Sequence, residues 1–127
     1  MNHSVEVVSY NADGATMRFT VKERPWTTNA ERKGNRWERA TLTSHWRTMF
    51  AWLARSQSFP TLTDATVTID IIQKGRLQDT AACSPAVKAA IDGLVDGGIL
   101  KDDTGDHLVS ILFTAPVRGK HDELNLT

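Results

Sequence analysis

Apolar and polar positions set out the elements of this chain before any composition is counted. Residues 5–10 alternate weakly. In residues 16–21, Met17, Phe19 and Val21 share one side and Thr16, Arg18 and Thr20 the other. A period of two predicts strands, and the Asn11-Ala-Asp-Gly14 turn signal between them predicts a hairpin. Residues 22–35 are polar, hold Pro25, Asn29 and Gly34, and predict a loop. The period then changes. Leu42, Trp46, Met49, Phe50 and Leu53 form one stripe at helical spacing, so a helix is expected over about residues 41–55.

A break around Pro60 precedes residues 65–73, where Val67, Ile69 and Ile71 face one way and Thr66, Thr68 and Asp70 the other. That run is rich in β-branched residues and predicts a strand. Residues 75–82 read as a loop. Ser84 suits an N-cap and Pro85 the first helical position. A helix to about Val95 would turn Val87, Ala90, Ile91 and Leu94 inward and end at Gly97-Gly98. Residues 108–114 predict a strong strand, and residues 123–127 a short edge strand. The expected order is β-β-α-β-α-β: a single α+β domain over residues 1–127, with two main helices packed on a mixed sheet.

At 127 residues the chain can bury a modest core, which a dimer would enlarge. No apolar run approaches a membrane span, and the N-terminal MNHSVEVVSY does not read as a signal peptide. The single cysteine, Cys83, fits a reducing compartment, so the expected location is cytoplasmic, with no membrane partner. It is too little for a cysteine-based metal site, and Cys83 reads as a small packing residue. Formal net charge is zero, but residues 1–60 hold nine Lys/Arg against five Asp/Glu and residues 61–127 hold six against ten. A basic surface in the first half and an acidic site in the second are the pattern this suggests.

The acids of the second half fall into two groups. Asp79 follows the strand at 65–73, and Asp102, Asp103 and Asp106 precede the strand at 108–114. If those strands are antiparallel neighbours, both groups meet at one sheet edge. Magnesium asks for few protein ligands, often one or two carboxylates completed by water and substrate phosphate. Lys88 and Asp92 share a helix face at i, i+4. They serve either as a surface ion pair or, with Lys88 pointing at a phosphate, as a source of positive charge where negative charge develops. His107 reads as an ordinary strand-start histidine.

Asp79-Thr-Ala-Ala-Cys-Ser-Pro-Ala-Val-Lys88, followed by Asp92-Gly-Leu and then Asp102-Asp103, resembles the RusA family of Holliday junction resolvases, and in particular the branch seen in actinobacteria and their phages. The close match covers about the last third of the chain. The segment from Thr28 to Arg47 is a looser match. The resemblance implies a small homodimeric endonuclease that cuts four-way, branched DNA with Mg²⁺, or with Mn²⁺ in its place, in recombination and repair. It implies Asp79 and Asp103 as active-site carboxylates, Asp102 as a further metal ligand and Lys88 as the helix lysine of the site. Asp92 takes a supporting role. Ala82 stands where the family usually has Asn. Leu77 and Ala81 stand two residues either side of Asp79, where many members have a second acid. Asp106 or Asp70 would have to supply the missing ligand; otherwise the scaffold binds branched DNA without cutting it.

All four tryptophans lie between residues 26 and 52, amid Arg32, Lys33, Arg36, Arg39 and Arg47. Trp46 is on the helix stripe and belongs to the core. Trp52 lies near the helix's other side, under the sheet or at a dimer contact. Trp26 and Trp37 either pack against the sheet or stack on an exposed base. Arg32, Lys33, Arg36 and Arg39 are candidate phosphate contacts, as are Lys74 and Arg76 beside Asp79. Each contact made would add about 0.9 to the slope of log affinity against log salt.

Overall fold

A computed structural model describes residues 3–28 and 35–127. Arg32 and Lys33 lie outside the described residues. The chain runs β1 (His3–Asn11), β2 (Gly14–Val21), α1 (Arg36–Arg55), β3 (Ala65–Gln73), α2 (Ser84–Asp96), β4 (Leu108–Phe113), β5 (Val117–Arg118) and β6 (Glu123–Leu126). The sheet order is β1-β2-β6-β3-β4, with β5 paired to β3 beyond the end of β4. The α+β class holds: one mixed sheet carries two helices.

The alternation read from the sequence sets the two faces of the sheet. Met17, Phe19, Val21, Val67, Ile69 and Ile71 are all buried, together with Trp46, Phe50, Leu53, Val87, Ala90, Ile91 and Leu94 from the helices. Over β2, β6 and most of β3 the opposite face is polar, and its side chains bond one another: Thr20 Oγ1 donates to Asn125 Oδ1 (2.7 Å) and Thr114 Oγ1 to Asp70 Oδ1 (2.8 Å). Such a surface can face water without a covering layer.

Several expectations are corrected. The strand at the C-terminus is not an edge: β6 sits between β2 and β3 and pairs antiparallel with both, burying Leu124 and Leu126. Helix α1 starts at Arg36, five residues ahead of the expected start, because the Asn35 side chain accepts a hydrogen bond from the Glu38 amide (2.9 Å) and caps a first turn that has no apolar stripe. Cys83, not Ser84, takes the N-cap position of α2; Ser84 is already helical, and Pro85 lies in the first turn. Trp26 is buried edge-on against Trp46, with ring centroids 5.8 Å apart, whereas Trp37 is 82 % exposed and Trp52 55 %.

The correction with functional weight concerns β3 and β4. They are neighbours, but parallel. Helix α2 covers one face and returns the chain to the same end, which is what a strand–helix–strand connection does and a hairpin does not. Helices α1 and α2 also run in the same sense. Gly93 meets Arg47 and Phe50, and Gly97, one turn on, meets Ala51 and Ala54. Arg47 clamps the end of α2, its Nε donating to Asp96 Oδ2 (2.6 Å) and its Nη2 to Asp96 Oδ1 (3.0 Å).

Candidate functional site

The parallel pairing sends the two acid groups to opposite ends of the strands. Ala65 is registered on Leu108, and its amide donates to the His107 carbonyl (2.8 Å), so Asp102, Asp103 and Asp106 belong to the amino end of β4. Asp79 lies beyond the carboxyl end of β3. The expected meeting of Asp79 with Asp102 and Asp103 at one edge rested on antiparallel strands, and this chain does not make it. Among the described residues no three His, Cys, Asp or Glu side chains gather into a group that could hold a metal ion.

What does converge is smaller. The loop after α2 folds back along the helix and brings Asp103 to Lys88. The Lys88 ammonium donates to Asp92 Oδ1 (2.9 Å) and to Asp103 Oδ2. Lys88 is exposed on the α2 surface because Val87, Ala90 and Ile91 take the buried positions of the same turns. The i, i+4 partner Asp92 was expected; Asp103, 15 residues away, is added by the loop. An open recess beside the cluster, about 380 Å³, is lined by Ser84, Lys88, Asp103 and the apolar Ile91, Ile111 and Phe113.

Each charge holds the other. The hydrogen bond from Lys88 keeps the Asp103 carboxyl below the ordinary carboxylate range, and bonds from Asp103 and Asp92 raise the Lys88 ammonium above its ordinary value. The stability from the depressed Asp103 is complete above the unfolded carboxylate value of about 3.9 and is lost as pH falls through the folded value. That from Lys88 is complete below about 10.4 and is lost as pH rises through its raised value. The couple is therefore ionised throughout the neutral range. In a carboxyl NMR titration, Asp103 is expected to titrate below ordinary aspartates, and Lys88→Ala to return it upward. An Asp103 midpoint that the substitution leaves in place would contradict the pairing.

Asp102 is turned to another task. Its Oδ1 accepts from the Thr104 amide (3.0 Å) and the Thr104 hydroxyl (2.6 Å), which folds the loop and lowers its pKa, with Oδ2 3.8 Å from His107 Nε2. Asp106 is exposed. Asp79 is exposed too, in a recess of about 630 Å³ shared with Arg24, Thr28, Arg76 and Thr80. Two residues on, Ala81 has φ +65°, a left-handed conformation that costs a non-glycine residue about 1–2 kcal/mol. Arg36 and Arg39 are exposed in the first turn of α1, and Lys74 and Arg76 are exposed after β3. Cys83 is 2 % exposed, and burial pushes its thiol up to about 11, in keeping with a packing role. Arg24 and Lys120 carry no signal in the sequence that singles them out, yet both line recesses at the Asp79 end of the sheet.

No family model matches this sequence, and no curated protein is significantly similar to it.

Proposed function

We propose that the protein is a structure-specific, Mg²⁺-dependent endodeoxyribonuclease of RusA type, acting on four-way DNA junctions as a homodimer. The observation that carries this is the Lys88 ammonium held between Asp92 and Asp103, which joins two of the residues the resemblance implies at one surface point. The three-carboxylate set of Asp79, Asp102 and Asp103 does not fit a metal in one chain. Asp92 and Asp103, which converge on the Lys88 ammonium, would offer two hard-oxygen donors to a magnesium ion that took its place. Bound there, the ion would supply Lewis acidity and activate water for attack on a phosphodiester. Lys88, released toward the substrate, meets the charge that develops on the phosphate.

A second copy has a surface to cover. β4 ends the sheet, its outer backbone edge is unpaired among the described strands, and it reads LVSILF without a charge. Val109 and Leu112 are each 59 % exposed. Antiparallel pairing of β4 with its own copy across a two-fold axis satisfies both edges and sets no like charges opposite. Leu112→Lys is expected to convert the dimer to monomer in analytical ultracentrifugation. An unchanged dimer would place the interface elsewhere.

One observation favours a second reading, a branched-DNA-binding protein without chemistry: among the described residues no third acid joins Asp92 and Asp103, and Asp79 lines a separate recess. Incubation of the protein with a synthetic four-way junction, with and without Mg²⁺, separates the two. Metal-dependent nicking supports the enzyme. A junction bound but intact at every divalent concentration selects the binding protein, and absence of binding at low salt overturns both.

A further inference from the structure

At the carboxyl end of β3 three chain segments bring cations together. Lys22 and Arg24 follow β2, Lys74 and Arg76 follow β3, and Arg118 and Lys120 lie at and just after β5. They do not all do the same work. Lys22 is paired with Glu123, and Arg24 lies 3.5 Å from Asp122. Arg24 also donates to the Lys74 carbonyl (3.3 Å) and the Arg76 carbonyl (2.6 Å), while Arg118 Nε donates to the Gly75 carbonyl between them (3.1 Å). All three carbonyls of the 74–76 turn are thus taken by arginines. Gly75 makes the turn at φ +79°, a conformation that favours glycine. Asp122 Oδ1 accepts from the Lys74 amide (3.0 Å), and the Gly119 amide donates to the Gln73 carbonyl (2.9 Å), fastening the turn from the β5–β6 side.

The turn so fixed presents Lys74 and Arg76 to solvent, with Lys120 across from them. All three are exposed, and none of these side chains has a hydrogen-bond or ion-pair partner among the described residues. Lys74 and Lys120 line one recess of about 700 Å³. Arg76 lines the recess of about 630 Å³ that holds Asp79. Arg24 lines both, so the two recesses adjoin at its side chain as a furrow to which Glu23, Asp79 and Asp122 also contribute. A turn whose acceptors are all neutralised by arginine, and whose remaining cations are unpaired, is suited to a polyanion. Phosphates need point charges and positive potential and no particular side-chain geometry.

We propose that Lys74, Arg76 and Lys120 hold the sugar–phosphate backbone of DNA along this furrow, with Arg24 as the positioning residue that fixes the turn between them. This rests on the nucleic-acid reading above and assigns it a path that includes Lys120, a contact the sequence does not single out. The grip is independent of base sequence, since no groove-reading helix takes part.

The test is the salt dependence of binding, read by fluorescence anisotropy on a labelled four-way junction. Each of Lys74→Gln, Arg76→Gln and Lys120→Gln is expected to lower the slope of log affinity against log salt by about 0.9, and to weaken binding equally across junctions of different sequence. Arg18→Gln, on the open face of the sheet, should leave the slope unchanged. All four positions are exposed or half-exposed and the fold should survive, which a circular dichroism melt checks. Slopes that stay at the wild-type value in all three variants, or fall as far in Arg18→Gln, would overturn the furrow while leaving junction binding intact. A wild-type protein that binds no junction at low salt would overturn the nucleic-acid reading itself.

Discussion

Asp103→Asn is expected to slow junction cutting by about two to four orders of magnitude, the range for losing a group that acts in the transition state. The substitution keeps the size of the side chain and removes its charge, so it separates chemistry from shape. In the wild-type chain Asp103 and Asp92 together neutralise Lys88. With position 103 neutral, the pair of acids that would receive a divalent cation is reduced to one, while the side-chain amide oxygen can still accept from Lys88 and hold the loop on the helix. Lys88→Ala should produce a comparable loss by removing the cation that meets the phosphate. Asp79→Asn is expected to cost less than either, because Asp79 lines a different recess, beyond the carboxyl end of β3. Single-turnover cutting of a labelled junction at saturating protein measures all three. Asp103→Asn cutting at the wild-type rate would remove the cluster from the mechanism.

Gly93→Val is the structural counterpart, with an expected loss of about 3 kcal/mol. A Cβ at Gly93 runs into the Arg47 carbonyl and comes within 2.9 Å of Phe50 Cβ and 3.0 Å of the Ala51 amide. Two of these neighbours are backbone, so nothing yields unless α1 and α2 move apart. A Cβ at Gly97 repeats the contact one turn later, running into Ala54 Cβ and lying 2.8 Å from the Ala51 carbonyl oxygen. This spacing lets the helices approach along small residues, with Ala51 and Ala54 facing the glycines. Gly93→Ala would gain about 1 kcal/mol in helix propensity and still lose on packing. Urea denaturation should show a lower midpoint at unchanged slope for Gly93→Val. Gly105→Ala, whose added methyl meets nothing within 4 Å, should leave the midpoint in place. A stable Gly93→Val protein would contradict the close helix packing.

The Asp92-Gly93-Leu94 turn shows how much the sequence alone could convey. Its resemblance to a resolvase motif marks it, but the glycine answers to helix packing. Period-two alternation made β2 and β3 legible, and the apolar stripe did so for α2 and for α1 beyond its first five residues. Alternation states which face a residue takes and says nothing of strand direction. The parallel pairing of β3 and β4 was therefore beyond it, although the helix between them was itself the available signal. The first turn of α1 buries nothing and is held by Asn35, so a search for stripes passes over it. Leu124 and Leu126 are too short a run to mark an interior strand; both neighbours of β6 arrive from distant sequence. The site divides in the same way. Lys88 and Asp92 are legible as an i, i+4 pair, while Asp103 joins them only through the loop's return along the helix. The grip of Arg24 and Arg118 on three carbonyls has no sequence signature, because the acceptors are backbone.

The most direct test of the central claim, that Lys88 and its two carboxylates form a metal-assisted phosphodiester-cutting centre, is mapping strand breaks in a synthetic four-way junction incubated with wild-type protein and Mg²⁺. Two breaks placed symmetrically on opposing strands, abolished by chelator and restored by added Mg²⁺, are the predicted result. A junction that the protein binds and leaves whole at every concentration of Mg²⁺ and Mn²⁺ would contradict it.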